Sequence, residues 1–235
     1  MRSSPSFSIP EIPIGEHWTT QECVYRRLRN AILIGSIVPG SALTIRGLAD
    51  YMSLSPTPVR EAVRRLSSEH AIEILGNRRI KVPEMTVGKF EELTRLRIAI
   101  ETHAGERALP YVSDILIERM RETDNIMDIA VREENFDSLT ILNQKFHRLL
   151  YSANPNQAVM PIVESVWLQL GPFQRQVLNA IKSHYLVDRH KEIVSALETR
   201  DSRALANAIE ADVRDGSERP GWEILAKTTG QKASA

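Results

Sequence analysis

Apolar positions recur every three to four residues through most of this chain, and the exceptions lie early. Val24, Leu28, Ala31 and Ile32 form a helical stripe, opened by Thr19-Thr20-Gln21-Glu22 at capping-box spacing and ending near Gly35. Pro39-Gly40 forces a turn, after which Thr44 can cap a second helix carrying Leu48, Ala49 and Met52. In a third helix Val59, Val63 and Leu66 share one face, Ser55 or Thr57 supplies the cap, and Pro58 suits the first turn. The helical period gives way at Ile72-Glu73-Ile74-Leu75 and Ile80-Lys81-Val82, which read as strands around the turn Gly76-Asn77-Arg78-Arg79 and stop at Pro83. Three short helices and a hairpin over residues 19–83 predict a winged helix-turn-helix.

From Thr86 the pattern changes to long helices, expected near 86–109, 113–133, 137–152, 156–181 with a break at Gly171-Pro172, 184–199 and 202–216. Residues 84–219 therefore read as an antiparallel all-α bundle of six to seven helices, and the whole chain as mainly α. Residues 1–18, interrupted by Pro5, Pro10 and Pro13, read as a flexible or loosely docked arm. Residues 220–235 read as a frayed tail apart from Trp222 and Leu225.

Composition adds little to this until charge is divided along the chain. With 42% hydrophobic residues in 235 there is material for a sizeable core, and the single cysteine, Cys23, excludes an internal disulfide framework and a cysteine-based zinc motif. No apolar run reaches membrane-spanning length and no signal-peptide core is visible, so a soluble, cytoplasmic protein without membrane association is expected. The net charge of zero conceals +4 over residues 1–83 (11 Lys/Arg, 7 Asp/Glu) and −4 over residues 84–235 (19 and 23). A basic first part points to a polyanion partner for that part alone.

The basic residues are not scattered. Arg60 and Arg64 lie four apart on the third helix with Arg65 to one side, Arg46 begins the second, and Arg78, Arg79 and Lys81 charge the wing. Ser55 and Thr57 add hydroxyls at the start of the helix that enters the major groove in a helix-turn-helix, and a bidentate arginine on guanine is the commonest specific contact. Residues 24–83 resemble the DNA-binding domain of the GntR superfamily of bacterial transcription regulators. The resemblance rests on Ala31-Ile32-Leu33-Ile34-Gly35, Pro39-Gly40-Ser41-Ala42-Leu43, Leu48-Ala49 and above all Ser55-Pro56-Thr57-Pro58-Val59-Arg60-Glu61-Ala62. It implies operator contacts by Arg46, Thr57 and Arg60. Two positions depart from the pattern: Pro56 stands where arginine is usual, and Arg79 where the wing usually has glycine. The remaining arginines, Arg79 among them, are expected to carry more of the recognition.

In the second half, Asn143 and His147 lie four apart beside the apolar face Leu139, Leu142, Phe146 and Leu150, so they can share a ligand. His190 heads another helix and Asp212 follows 22 residues later, toward the end of the next, where antiparallel packing would bring the two together. A lone histidine is more often a hydrogen-bonded structural residue than a ligand. Residues 86–217 also resemble the helical ligand-binding domain of the FadR subfamily in its FCD branch, in which an Asp-x-x-x-His pair and two later histidines bind a divalent metal. The resemblance implies a site at Asn143, His147, His190 and Asp212, with Asn replacing the usual acid at 143 and an acid replacing the last histidine at 212. Oxygen and imidazole donors suit Zn²⁺ first, with Ni²⁺ or Mn²⁺ as alternatives. Arg97 falls where the family places an effector-facing arginine and equally at i,i+4 spacing for a salt bridge with Glu101; Arg175 is the second candidate effector residue.

The resulting expectation is a transcriptional regulator and not an enzyme. It would repress as a homodimer or higher homo-oligomer on double-stranded operator DNA with inverted repeats, and release it on binding a small carboxylate-bearing effector. Two rivals follow from the same residues: a metal-dependent hydrolase built on His147, His190 and Asp212, and an effector-independent architectural DNA binder. The first lacks an obvious general base with a defined nucleophile.

Overall fold

The hydroxyl of Thr19 accepts the backbone N–H of Glu22 at 3.2 Å and starts α1 (Thr20–Leu33). Only half of the expected capping box forms, because the Glu22 carboxylate turns to Arg26 and Arg65 instead. The computed structural model describes residues 7–75, 79–181 and 189–233. After α1 come β1 (Ala42–Thr44), α2 (Ile45–Tyr51), α3 (Pro56–Ser68), β2 (Glu73–Ile74) and β3 (Arg79–Lys81). Strand β1, too short to show alternation, completes an antiparallel sheet of order β1-β3-β2, with Leu43 opposite Ile80 and both buried. The expected turn, including Arg78, lies mostly outside the described residues. Pro56 is the first residue of α3, where an N–H would have no intrahelical partner, so the departure at 56 suits the helix start. Ser55 precedes it as the cap position, yet its side chain makes no capping bond.

The chain divides into two compact units. The first comprises the residues up to Met85 together with Trp167–Arg175. Its core joins the α1 stripe, Leu48 and Ala49 of α2, the Val59-Ala62-Val63-Leu66 face of α3, Ile80 and Val82, with Leu168 packed among them. The arm is docked from Phe7 onward: Phe7 bridges to Ile37, its ring lies 5.2 Å from that of Tyr51, and Ile9 is buried in the same core. From Phe7 onward the arm, expected as flexible or loosely docked, is the docked alternative, held by the apolar side chains at 7 and 9 despite its prolines.

The second unit comprises Thr86–Val166 and Gln176 onward. It contains α4 (Val87–Ala108), α5 (Asp114–Arg132), α6 (Phe136–Tyr151), α8 (His190–Glu198), α9 (Ser202–Val213), a π-helical turn (Arg214–Glu218) and α10 (Arg219–Ala233). Side chains of Thr86, Ser113, Asn135 and Asp201 cap α4, α5, α6 and α9 by accepting the N–H three residues on. Helix α5 packs on α6, and α9 packs on both α4 and α8. At Gly105 the first of these α9 contacts is close: a Cβ there would lie 2.3 Å from Cδ1 of Ile209.

Helix α7 (Met160–Ile181) runs through Pro172 without the expected break. Gly171 has another task, since a Cβ there would meet the Leu33 carbonyl oxygen at 2.4 Å within the first unit. The frayed tail is also corrected. Pro220 is the second residue of α10, directly after the π-helical turn, Gly221 lets the helix close on Phe90, and Trp222 meets that ring edge-on at 5.2 Å. Among the described residues no helix is long and apolar enough to cross a membrane.

Candidate functional site

Helix α6 presents Asn143, His147 and Tyr151 at successive four-residue steps, one face of one helix. Helix α8 begins at His190, and α9 brings Asp212 in its last turn. His147, His190 and Asp212 each offer a ligand atom within 4.8 Å of the others. His147 Nε2 lies 3.2 Å from Asp212 Oδ2, and His190 Nε2 lies 3.8 Å from Asp212 Oδ1. Two donors each about 2.1 Å from a tetrahedral ion stand about 3.4 Å apart, so these separations and this donor set fit a divalent transition metal. Asn143, half-buried, turns its amide nitrogen toward His190 Nε2 at 3.4 Å. Its carbonyl becomes a donor only if the amide turns over.

The surroundings are buried polar groups joined to one another. Relative exposure is 0% for His147, 1% for His190, 5% for Asp212 and Arg97, 0% for Glu101 and 8% for Asp124. His190 Nδ1 meets Asp124 Oδ1 at 2.8 Å, and its ring stacks on Phe146 with centroids 4.1 Å apart. His147 Nδ1 meets the Tyr151 hydroxyl at 3.3 Å, and that hydroxyl donates to Glu101 Oε2 at 3.0 Å. Arg97 Nε donates to Glu101 Oε1 at 2.6 Å, the i,i+4 salt bridge that its spacing allowed. The backbone N–H of Arg189 donates to Asp212 Oδ1 at 2.9 Å.

Electrostatics in this cluster are set by pairing against burial. Burial alone would raise the Asp212 pKa. The hydrogen bond and charge of His147, the charge of His190 and the Arg189 N–H outweigh it and hold the carboxyl well below the usual range. Burial, then the Glu101 charge, pushes the Tyr151 phenol well above its ordinary value, so the hydroxyl keeps its proton. Burial works against the Arg97 charge, but Glu101 more than compensates. Arg175, the other expected effector residue, falls in the first unit, where its Cβ lies against Gly35.

Asp124 and Tyr151 were missed in the sequence, although each left a signal. Tyr151 continues the four-residue step from Asn143 and His147. Asp124 interrupts the buried stripe Ile117, Met120, Met127 on α5, and a carboxylate on an apolar face needs a partner.

The first unit presents a different surface. Arg46, Ser55, Thr57, Arg60, Arg64 and Arg79 are exposed. Arg64 leans on Glu61 at 3.3 Å, an exposed pair of the kind worth little and easily exchanged for a phosphate. Arg65 is otherwise employed: its guanidinium lies 3.5 Å from the Tyr25 ring centroid and its Nη1 2.8 Å from Glu22, fastening α3 to α1.

Residues 20–82 match the family model described as bacterial regulatory proteins, gntR family, and residues 92–215 match that of the FCD domain. The chain belongs to the gntR family. Among its gntR-family relatives, it is 23% identical over 185 residues to the HTH-type transcriptional regulator McbR of Escherichia coli (strain K12), covering 77% of this chain and 84% of that one. It is 24% identical over 196 residues to the HTH-type transcriptional repressor RspR of the same organism, covering 83% and 86%. The solved structure of E. coli McbR/YncC superposes with a TM-score of 0.80 at 21% identity, over 90% of this chain and 99% of that one. The gntR-family chain is therefore a DNA-binding transcriptional regulator, mainly α, with a winged helix-turn-helix and a helical bundle. The hydrolase alternative falls with that membership.

Proposed function

We propose that this regulator is a metabolite-responsive repressor whose FCD module holds a divalent metal at His147, His190 and Asp212, with Asn143 as an optional fourth donor. Convergence of the three side chains inside a closed helical unit is the observation that carries the reading. A bound metal would supply a Lewis-acidic position for an oxygen-bearing effector, a carboxylate being the simplest match. Because Arg97 is already engaged by Glu101, the effector's charge is met at the metal and not at that guanidinium.

The DNA face proposed is the start of α3 and the wing. Arg46, Thr57 and Arg60 approach base edges, Ser55 and Arg64 meet phosphate, and Arg79 serves in the adjoining groove beside Arg78, which lies outside the described residues. Reading an inverted repeat requires two such faces at fixed spacing, hence a homodimer. Induction then requires the effector to bind the DNA-incompetent arrangement more tightly, by a few kcal/mol for strong release.

Two measurements on the purified chain test this. Elemental analysis is expected to find about one divalent metal per chain, lost on chelation and absent from His147→Ala/His190→Ala protein. Binding-site selection from random DNA is expected to recover an inverted repeat, released by some metabolite only when metal is present. Metal-free wild type that resists reloading refutes the site. Steep salt dependence with no recovered sequence would instead mark an architectural DNA binder.

A further inference from the structure

Both histidines of the cluster have their second ring nitrogen committed, and the two commitments are chemically alike. At His190, Nδ1 lies 2.8 Å from Asp124 Oδ1. A carboxylate oxygen only accepts, so Nδ1 carries the proton and donates it. At His147 the same result comes through an intermediate. The Tyr151 hydroxyl has one proton, and it goes to Glu101 Oε2 at 3.0 Å. Toward His147 Nδ1, 3.3 Å away, the hydroxyl oxygen can then only accept, so Nδ1 again carries a proton. Glu101 in turn is fixed by Arg97 at 2.6 Å.

We propose that Asp124 and the chain Tyr151–Glu101–Arg97 are positioning groups of the metal site, holding the Nδ1 protons of His190 and His147 so that both Nε2 atoms face Asp212 and a cation between them. This rests on the metal-site reading above. The two arms come from different helices, Asp124 from α5 and the longer arm from α6 and α4. Each ends in a carboxylate, directly or through one hydroxyl, which raises imidazole basicity as well as fixing the ring. All six side chains are buried, so water does not compete for these bonds. The inference also gives Arg97 a purpose other than effector capture: it fixes the carboxylate that ends the longer arm.

The test uses the full-length wild type, the near-isosteric variants Asp124→Asn and Tyr151→Phe, and Glu101→Gln as a second probe of the longer arm. Zinc affinity is measured by competition with a chromophoric chelator, and the protonated nitrogen of each ring by imidazole ¹⁵N correlation spectra. Thermal melts of metal-free protein check folding. Asp124→Asn and Tyr151→Phe are each expected to weaken zinc binding by about 10–100-fold. Each should also reduce the Nδ1-protonated population of its own histidine and leave the other ring unchanged. Lower melting temperatures with unaltered zinc affinity and ring spectra would mean packing alone and overturn the proposal. So would unaltered affinity in all three variants while wild type binds zinc. Wild type that binds no zinc, nickel or manganese overturns the metal-site reading itself, a result separable from the other two.

Discussion

Arg97 sits at a position with two sequence-compatible roles, and Arg97→Met distinguishes them. The guanidinium and the Glu101 carboxylate are 2.6 Å apart with side chains 6% and 0% exposed, which removes the pair from the class of surface salt bridges worth about 0–1 kcal/mol. Methionine keeps much of the arginine stem's volume while deleting the charge. Glu101 is then left as a buried anion without its arginine, and removing one partner of such a pair costs about 3–5 kcal/mol. A domain stable by about 5–15 kcal/mol survives this and still folds. In urea, followed by circular dichroism, the midpoint is expected to fall by about 1 M or more. The double variant Arg97→Met/Glu101→Gln removes that buried charge while its amide oxygen still accepts from Tyr151, so it should recover most of the loss. If Arg97→Met instead unfolds within about 1 kcal/mol of wild type while effector response disappears, the arginine serves the ligand and the structural assignment is wrong.

Arg60→Ala is expected to weaken operator binding by about 1–3 kcal/mol at fixed salt with an unchanged circular dichroism spectrum, and undiminished fluorescence-anisotropy affinity would remove Arg60 from the recognition face. Gly171→Val places carbon 2.4 Å from the Leu33 carbonyl oxygen and should destabilise the first unit by about 1–3 kcal/mol or more; an unaltered melting temperature would show that the crossing can open. Asn143→Asp adds a carboxylate beside His190 and should tighten metal binding, read as slower loss to a chelator. Burial, then the hydrogen bond to Glu69, pushes the Tyr25 phenol up to about 12. The folded chain therefore keeps a proton that the unfolded chain loses near about 10, so stability falls as pH rises across that window. The ultraviolet titration difference between wild type and Tyr25→Phe locates the step, and a step at the ordinary phenol value would contradict the burial.

What could be read from the sequence was whatever has a period or a local signature. The apolar stripes of α1 and α3, the stop at Pro83 and the long helices after Thr86 follow from spacing, because burial of one helical face is a local constraint. The places that misled were those where a residue with a strong local preference answers a distant one. Gly171-Pro172 resembles a breaker until Leu33 is seen against it, and Pro220-Gly221 resembles a tail until Phe90 is. The capping box at Thr19 was half right, because Arg26 and Arg65 compete for the Glu22 carboxylate. In the cluster, the types and spacing of His147, His190 and Asp212 were visible, but not the groups behind them. Asp124 comes from a helix whose register against α8 no local pattern states.

An amide at 143 and an acid at 212, where the resemblance implies an acid and a histidine, have a structural consequence beyond donor type. A carboxylate on α6 at 143 would begin a helical turn already holding His147. The carboxylate on α9 at 212 is divided: Oδ2 lies toward His147, while Oδ1 accepts the backbone N–H of Arg189, the residue that opens α8. Arg189 also reaches Asp215 with its side chain at 2.7 Å, so two acids one turn apart on the α9 side hold the start of α8. His190 is the next residue. A cation drawing on Oδ2 therefore acts on the same carboxylate that fixes where α8 begins, and the position of His190 depends on both. If a metal binds as proposed, the acid at 212 links its capture to the placement of α8, and a group shared in this way is one means of coupling an effector site to a second element.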